Sequence, residues 1–318
     1  MKIVVLDSHA LNSGDLSWDA LRAIGVLQVF DRTADDQIVA RARDAEIVLT
    51  TKTHLSAQIL SQLKKTRYIG VLFTGYDIVD VKAARELGIS VTNIPTYGTA
   101  SVVELTFALV LELFRHVALH SEAARAGEWS RSVDFTFQKT PLIELAGKTI
   151  GIIGLGRIGR RVAEIALAFE LRIIAFDEVR SAVPDWPNFR WCEIDELLAQ
   201  ADVVSLHCPL LPQTQGIINA KTLALMKPSA FLINVSRGPL IIEQDLADAL
   251  NDGRLAGAAV DVLSREPPAP DNPLLRAKNC IVTPHIAWAT KEAQTRLLDT
   301  AIANVRAFLD GHPTNLVN

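Results

Sequence analysis

Three residues far apart in the chain, Arg237, Glu266 and His285, would together make a set for binding an anion and moving a proton. Arg237 stands in the turn Asn234-Val235-Ser236-Arg237-Gly238, after the apolar run Ala230–Val235. Asp261 ends the next run, Ala256–Val262, and Glu266 follows it in Ser264-Arg265-Glu266-Pro267-Pro268. His285 follows Cys280–Thr283 in Thr283-Pro284-His285-Ile286-Ala287-Trp288. A carboxylate beside an imidazole raises its pKa and fixes its tautomer, which gives a proton donor poised near neutral pH. A guanidinium can hold a carboxylate bidentately. Each residue alone reads more simply: Arg237 tying down a loop, Glu266 as a solvated acid, His285 packed at a strand end. At the ends of three successive strands they suit hydride transfer to a 2-oxo acid.

A second constellation points to the hydride carrier. The turn Gly154-Leu155-Gly156-Arg157-Ile158-Gly159 lies between an apolar run, Thr149–Ile153, and a helical pattern with Ile158, Val162, Ile165, Ala166 and Phe169 on one face. A further apolar run, Arg172–Phe176, ends at Asp177. Strand, glycine turn, helix, strand and acid in that order make a dinucleotide-binding unit. The glycines let the backbone approach a pyrophosphate, and the helix start offers free N–H groups and a positive dipole end. Asp177 can accept from an adenosine ribose. With Glu178 it favours NAD(H) over NADP(H), though Arg180 leaves some room for a 2′-phosphate.

The elements that must position these residues alternate. Strands are expected at Ile3–Leu6, Val26–Phe30, Ile47–Thr50, Tyr68–Phe73 and Ser90–Asn93, with helices between them and a helix stop at Leu87-Gly88. One long helix is expected over Ser101–Ala126, then an irregular stretch from Glu128 to Leu145. A second array begins at Lys148, with strands at Thr149–Gly154, Arg172–Asp177, Val203–His207, Ala230–Val235, Ala256–Val262 and Cys280–Thr283. The chain closes on an amphipathic helix, Lys291–Asp310. Such alternation predicts an α/β protein of two doubly wound parallel-sheet domains. The expected division is residues 1–100 with 287–318 as the substrate-binding domain and residues 101–286 as the NAD-binding Rossmann domain, with the active site in the cleft between them.

At 318 residues, 49% apolar and 21% charged, the chain has the composition of an ordinary soluble two-domain protein. A net charge of −4 gives no sign of a nucleic-acid or membrane partner. Cys192, Cys208 and Cys280 lack metal spacing and read as reduced thiols of a cytoplasmic protein, and no signal peptide is visible. Gly147-Lys148-Thr149 lacks the upstream glycine of a P-loop, and Ser236 lacks a nucleophile elbow. His116 and His120 share a helical face without a further ligand, so no metal is expected.

Taken in order, these markers, with His207-Cys208-Pro209-Leu210, resemble the D-isomer-specific 2-hydroxyacid dehydrogenases over nearly the whole chain. Leu16-Ser17-Trp18, Tyr68–Tyr76 and Trp288-Ala289-Thr290 look most like the branch that reduces hydroxypyruvate to D-glycerate. The resemblance implies a Rossmann domain inserted in a flavodoxin-like substrate domain, and a homodimer. It makes His285 the acid/base, Glu266 its carboxylate partner and Arg237 the anchor of the substrate carboxylate. It makes Leu72, Phe73, Thr74 and Gly75 the loop whose N–H groups share that anchor. It gives cofactor contacts to Thr74, Val103, Gly154, Gly156, Arg157, Ile158, Gly159, Asp177, Cys208, Pro209, Val235, Ser236 and Asp261, the last accepting from the nicotinamide amide. Many relatives have asparagine where this chain has Asp77, a carboxylate that bears on substrate choice. The expected function is NADH-dependent reduction of a small 2-oxo acid, hydroxypyruvate or glyoxylate. The alternative is an NAD-sensing, corepressor-type binding protein on the same scaffold.

Overall fold

The structure, a computed structural model, describes residues 1–11, 14, 16–180, 182–183 and 185–318. The chain divides into two compact units, Met1–Gly98 with Trp288–Asn318, and Thr99–Ala287.

In the first unit, β1 (Lys2–Val5), β2 (Val26–Val29), β3 (Ile47–Thr50), β4 (Tyr68–Val71) and β5 (Ser90–Thr92) form one parallel sheet in the order β2-β1-β3-β4-β5. The inner strands are apolar on both faces, as a sheet covered on both sides requires. Ile3, Val5, Ile47, Leu49 and Tyr68 pack on one side. Val4, Leu6, Val48, Ile69 and Val71 pack on the other. The helix Lys291–Leu309 lays Leu297, Leu298, Ala301, Ile302 and Val305 on the first of these faces. Its start is capped by Thr290, whose hydroxyl accepts from the Ala293 N–H.

The second unit holds β6 (Thr149–Ile153), β7 (Arg172–Phe176), β8 (Phe189–Trp191), β9 (Val203–Leu206), β10 (Phe231–Asn234), β11 (Gly257–Val260) and β12 (Cys280–Val282). They are parallel, in the order β12-β11-β10-β9-β6-β7-β8. Successive residues again face opposite cores: Ile153, Ile174, Val204 and Leu232 one, Ile152, Ile173, Val203 and Ile233 the other. The helices Thr99–Arg115 and Arg157–Ala168 cover the second face. Strand order reverses between β6 and β9, and the crevice outside the carboxyl ends at such a switch point is where a doubly wound sheet binds its ligand.

Two expectations at element level are corrected. Strand β8, three residues long and paired among the described residues with β7 alone, has no counterpart among the expected strands, because it carries Arg190 in place of an unbroken apolar run. The long helix expected over Ser101–Ala126 is two helices, Thr99–Arg115 and Val117–Arg125. His116 breaks it with φ +46, and the Glu112 carboxylate accepts the freed Ala118 N–H at 3.3 Å.

Candidate active site

The three glycines of the turn do three different jobs. Gly154 follows β6 at φ +96, and a Cβ there would meet the Cys208 nitrogen at 2.5 Å, so only glycine lets the β6 and β9 ends come this close. At Gly159 a Cβ would collide with the Gly154 carbonyl, so glycine packs the helix on the turn. At Gly156 a Cβ would point into open space. Gly156 is the N-cap of the Arg157–Ala168 helix, with Arg157 exposed and Ile158 half-buried in its first turn. That open ground over a helix N-terminus is the shape and polarity a pyrophosphate requires.

Asp177 follows β7. Its Oδ2 accepts the Leu155 N–H at 2.7 Å and its Oδ1 the Val179 N–H at 3.3 Å, so the acid is locked against the glycine turn. Glu178 beside it is exposed. The Arg180 guanidinium pairs with Glu193 and reaches the Cys192 carbonyl, so it is already engaged. These groups fit NAD(H).

At the end of β9, burial pushes the Cys208 thiol up to about 11, which makes it an inert wall group; Pro209 is exposed. The Cys208 carbonyl accepts from the Ser236 hydroxyl at 2.7 Å, which links β9 to the turn after β10. Asn234, fully buried, shapes that turn: its Oδ1 accepts the Ser236 N–H at 3.0 Å and its Nδ2 donates to the Arg237 carbonyl at 2.9 Å. Val235 is buried and Arg237 is left exposed.

Asp261 is 1% exposed. Its Oδ1 accepts from the Thr283 hydroxyl at 2.6 Å and the Ile286 N–H at 2.9 Å, and its Oδ2 accepts the Ala287 N–H at 2.8 Å. The His285 N–H reaches the Asp261 carbonyl at 2.8 Å. These bonds hold His285 at φ +55, a left-handed backbone that is uncommon for a non-glycine residue. A carboxylate has about four acceptor positions, so one on Oδ2 stays open for an amide donor.

His285 Nδ1 lies 2.6 Å from Glu266 Oε2, and Glu266 Oε1 accepts the Leu263 N–H at 2.9 Å. Partial burial works against the Glu266 charge. The bonds from His285 and Leu263 and the nearby Arg237 charge outweigh it and hold the carboxyl below its usual range. Arg237, Glu266 and His285 thus form one electrostatic neighbourhood.

Other expected residues stand elsewhere. Val103 is 1% exposed and packs in the core of its unit. In the first unit, the Leu72 N–H donates to the Thr50 carbonyl at 2.8 Å, so Leu72 anchors its loop. The N–H groups of Phe73, Thr74 and Gly75 donate to no backbone oxygen among the described residues. Thr74 Oγ1 bonds the Ile94 carbonyl at 2.8 Å, and Phe73 packs edge-on against Trp288 at 4.7 Å. Asp77 is exposed. His120 uses both ring nitrogens, on the His116 carbonyl and the Lys139 N–H, and no cluster among the described residues could hold a metal.

Sequence reasoning gave no separate role to Asn234, Thr283 or Glu243. The first two lie inside motifs already singled out, which was the available signal. Glu243 opens a helix and carried none.

Residues 107–287 match the family described as "D-isomer specific 2-hydroxyacid dehydrogenase, NAD binding domain". The chain is 50% identical over 321 residues to a hydroxypyruvate reductase of Blautia hydrogenotrophica, covering all of both chains. It is 40% identical over 284 residues to a glycerate dehydrogenase of Methylorubrum extorquens, covering 89% of this chain and 88% of the relative. A solved protein of Thermus thermophilus superimposes with a TM-score of 0.89 at 34% identity, with both chains fully covered.

Proposed function

The chain belongs to the D-isomer-specific 2-hydroxyacid dehydrogenases, NAD-dependent enzymes acting on a CH–OH group, and on that premise we propose that it reduces hydroxypyruvate, and glyoxylate as a smaller analogue, to the D-2-hydroxy acid. The observation that carries this reading is the His285 Nδ1–Glu266 Oε2 pair at 2.6 Å beside Arg237, in a chain half identical to a hydroxypyruvate reductase along its full length.

Residues Thr99–Ala287 are the NAD-binding domain in this reading, and Met1–Gly98 with Trp288–Asn318 the substrate domain. Gly154, Gly156, Arg157, Ile158 and Gly159 hold the pyrophosphate, Asp177 the adenosine ribose, and Cys208 and Pro209 line the adenine side. Val235, Ser236 and the open position on Asp261 serve the nicotinamide. NADH, when bound, supplies the hydride to the carbonyl carbon. Arg237 fixes the substrate carboxylate, and Phe73, Thr74 and Gly75 carry N–H groups that donate to no backbone oxygen among the described residues and suit an anion of the same kind. His285, its Nδ1 held by Glu266, delivers the proton on Nε2 to the carbonyl oxygen. Glu266 keeps that tautomer and stabilises the charged ring. Fixed orientation supplies much of the rate.

The homodimer and the cytoplasm belong to the same proposal. Trp129, Val133 and Phe135 expose 55%, 101% and 90% of their surface within one short stretch, an apolar patch that a second copy would cover. The three thiols are free, and no helix among the described residues is long and apolar enough to cross a membrane.

The test is kcat/KM for hydroxypyruvate, glyoxylate, pyruvate, phenylpyruvate and a branched 2-oxo acid, each with NADH and with NADPH. Highest values for the first two with NADH are expected. Preference for phenylpyruvate or the branched acid would overturn the substrate assignment.

A further inference from the structure

The helix Glu243–Asn251 opens with an acid whose two oxygens are both committed to one loop. Glu243 Oε1 accepts the Ser264 N–H at 2.6 Å, and Oε2 accepts from Asn272 Nδ2 at 2.7 Å. Asn272 is buried, and its own Oδ1 accepts the Leu274 N–H at 3.0 Å, so its amide cannot turn without losing a bond. Ser264 and Asn272 bracket the segment that carries Glu266 and Pro267, Pro268 and Pro270. The single carboxylate of Glu243 therefore pins that segment at both ends.

A second contact fixes the same loop from the side of Arg237. A Cβ on Gly238 would fall on the backbone of Leu263 and Ser264, so the turn holding Arg237 lies directly under the start of the loop. The Leu263 N–H donates to Glu266 Oε1, and Glu266 Oε2 meets His285 Nδ1. A continuous path of short contacts thus runs from Glu243, through the backbone of Ser264 and Leu263, to the carboxylate that orients His285.

We propose that Glu243 is a positioning residue for the proton transfer: it holds the Glu266 loop so that Glu266 stays on His285. The inference rests on the reading of His285 as proton donor with Glu266 as its partner. An acid in the first turn also favours its own helix through the dipole. That effect alone would alter stability and leave the proton-transfer profile untouched, which separates the two roles. Without Glu243 the Ser264 N–H and the Asn272 amide lose their acceptor and the loop gains freedom. Glu266 then spends less time on Nδ1, and the proton transfer loses its oriented partner.

The experiment compares Glu243→Ala, Glu243→Gln, Glu266→Gln and the double variant Glu243→Ala/Glu266→Gln in the full chain. It reads the pH profile of kcat/KM for hydroxypyruvate reduction, the Kd of NADH by fluorescence, and thermal stability. Glu243→Ala is expected to lower kcat about tenfold or more and to move the alkaline limb half a pH unit or more toward acid, with the NADH Kd within about twofold. Glu243→Gln keeps one acceptor oxygen and should show the same shift at smaller size; it stands in if the alanine variant does not fold. In the double variant the losses should not multiply, because both substitutions break one path. An unmoved alkaline limb in the Glu243 variants, whatever their stability, overturns the proposal, as do losses that multiply in full. If Glu266→Gln itself leaves kcat and the limb unchanged, the reading of the His285–Glu266 pair fails and takes this inference with it.

Discussion

Glu266 joins two backbone-anchored segments through one carboxylate, Oε1 on the Leu263 N–H at 2.9 Å and Oε2 on His285 Nδ1 at 2.6 Å. The bond to Leu263 fixes where the carboxylate stands, so the bond to His285 fixes where the imidazole points. His285→Ala should lower kcat for hydroxypyruvate by about two to four orders of magnitude, the usual scale for a positioned acid. Glu266→Gln keeps the shape and removes the charge, and should cost about one to two orders with an alkaline limb moved toward acid. Steady-state kinetics across pH 5 to about 9 check both. Near-normal turnover by His285→Ala would remove His285 from the mechanism.

The glycine turn makes a prediction that separates folding from binding. Gly156 faces open space at φ −74, a backbone any residue adopts. Gly156→Ala should therefore leave stability within about 0.5 kcal/mol of the parent and still weaken NADH tenfold or more, because the methyl group enters the pyrophosphate ground. Gly159→Ala should act the other way round. Its methyl collides with the Gly154 carbonyl, so the helix must shift, at a cost of about 1–3 kcal/mol in unfolding free energy. Denaturant melts and NADH titration of both variants read this, and equal NADH affinity in the parent and Gly156→Ala would contradict it.

The alternation of strands and helices was legible because these strands are buried on both faces and appear as unbroken apolar runs, Thr149–Ile153 and Val203–Leu206 among them. β8 was not, because a three-residue edge strand with Arg190 at its centre has no such run. The break at His116 was hidden because a left-handed histidine is a tertiary outcome with no glycine to announce it. At the site, Arg237, Glu266 and His285 stand out only as a set, since each alone reads as a structural residue, and the fold brings Glu266 Oε2 to His285 Nδ1 at 2.6 Å. Glu243 could not, because its role lies in which two donors it meets, and those come from residues 264 and 272, which only the fold brings to it. The engagement of the Leu72 N–H by Thr50 was hidden for the same reason: sequence identifies the loop but not which N–H groups the sheet engages.

Cofactor preference follows from the Asp177 surroundings. Its carboxylate is fixed by Leu155, Glu178 adds a second negative charge, and Arg180 is paired with Glu193. A 2′-phosphate would meet two acids, with Arg180 already paired, so kcat/KM should favour NADH over NADPH by about tenfold or more. Asp177→Asn keeps an oxygen for the Leu155 N–H and removes the charge. It should raise the NADPH/NADH ratio about tenfold, equivalent to about 1.4 kcal/mol. Parallel titration with 2′,5′-ADP and 5′-AMP gives the same comparison without turnover. A ratio unmoved by Asp177→Asn would place the discrimination elsewhere.

The histidine at the end of β9 predicts how stability responds to acid. His207 Nε2 lies 2.8 Å from the Ser205 hydroxyl, and burial pushes its imidazole down to about 4 from an ordinary 6.5. Between those values the unfolded chain binds a proton that the folded chain refuses. Acidification through that window therefore favours unfolding, and the stability contributed by the neutral ring is full above about pH 6.5 and lost as pH falls toward 4. A shift of that size sets an upper bound of roughly 3 kcal/mol, less where solvent reaches the ring. His207→Asn can keep a bond to Ser205 and does not titrate. Urea midpoints at pH 7, 5.5 and 4.5 should fall more steeply for the parent than for the variant, with most of the difference between 6.5 and 4.5. Parallel slopes for the two proteins would mean that His207 carries its proton in the folded state and contributes nothing to the acid response.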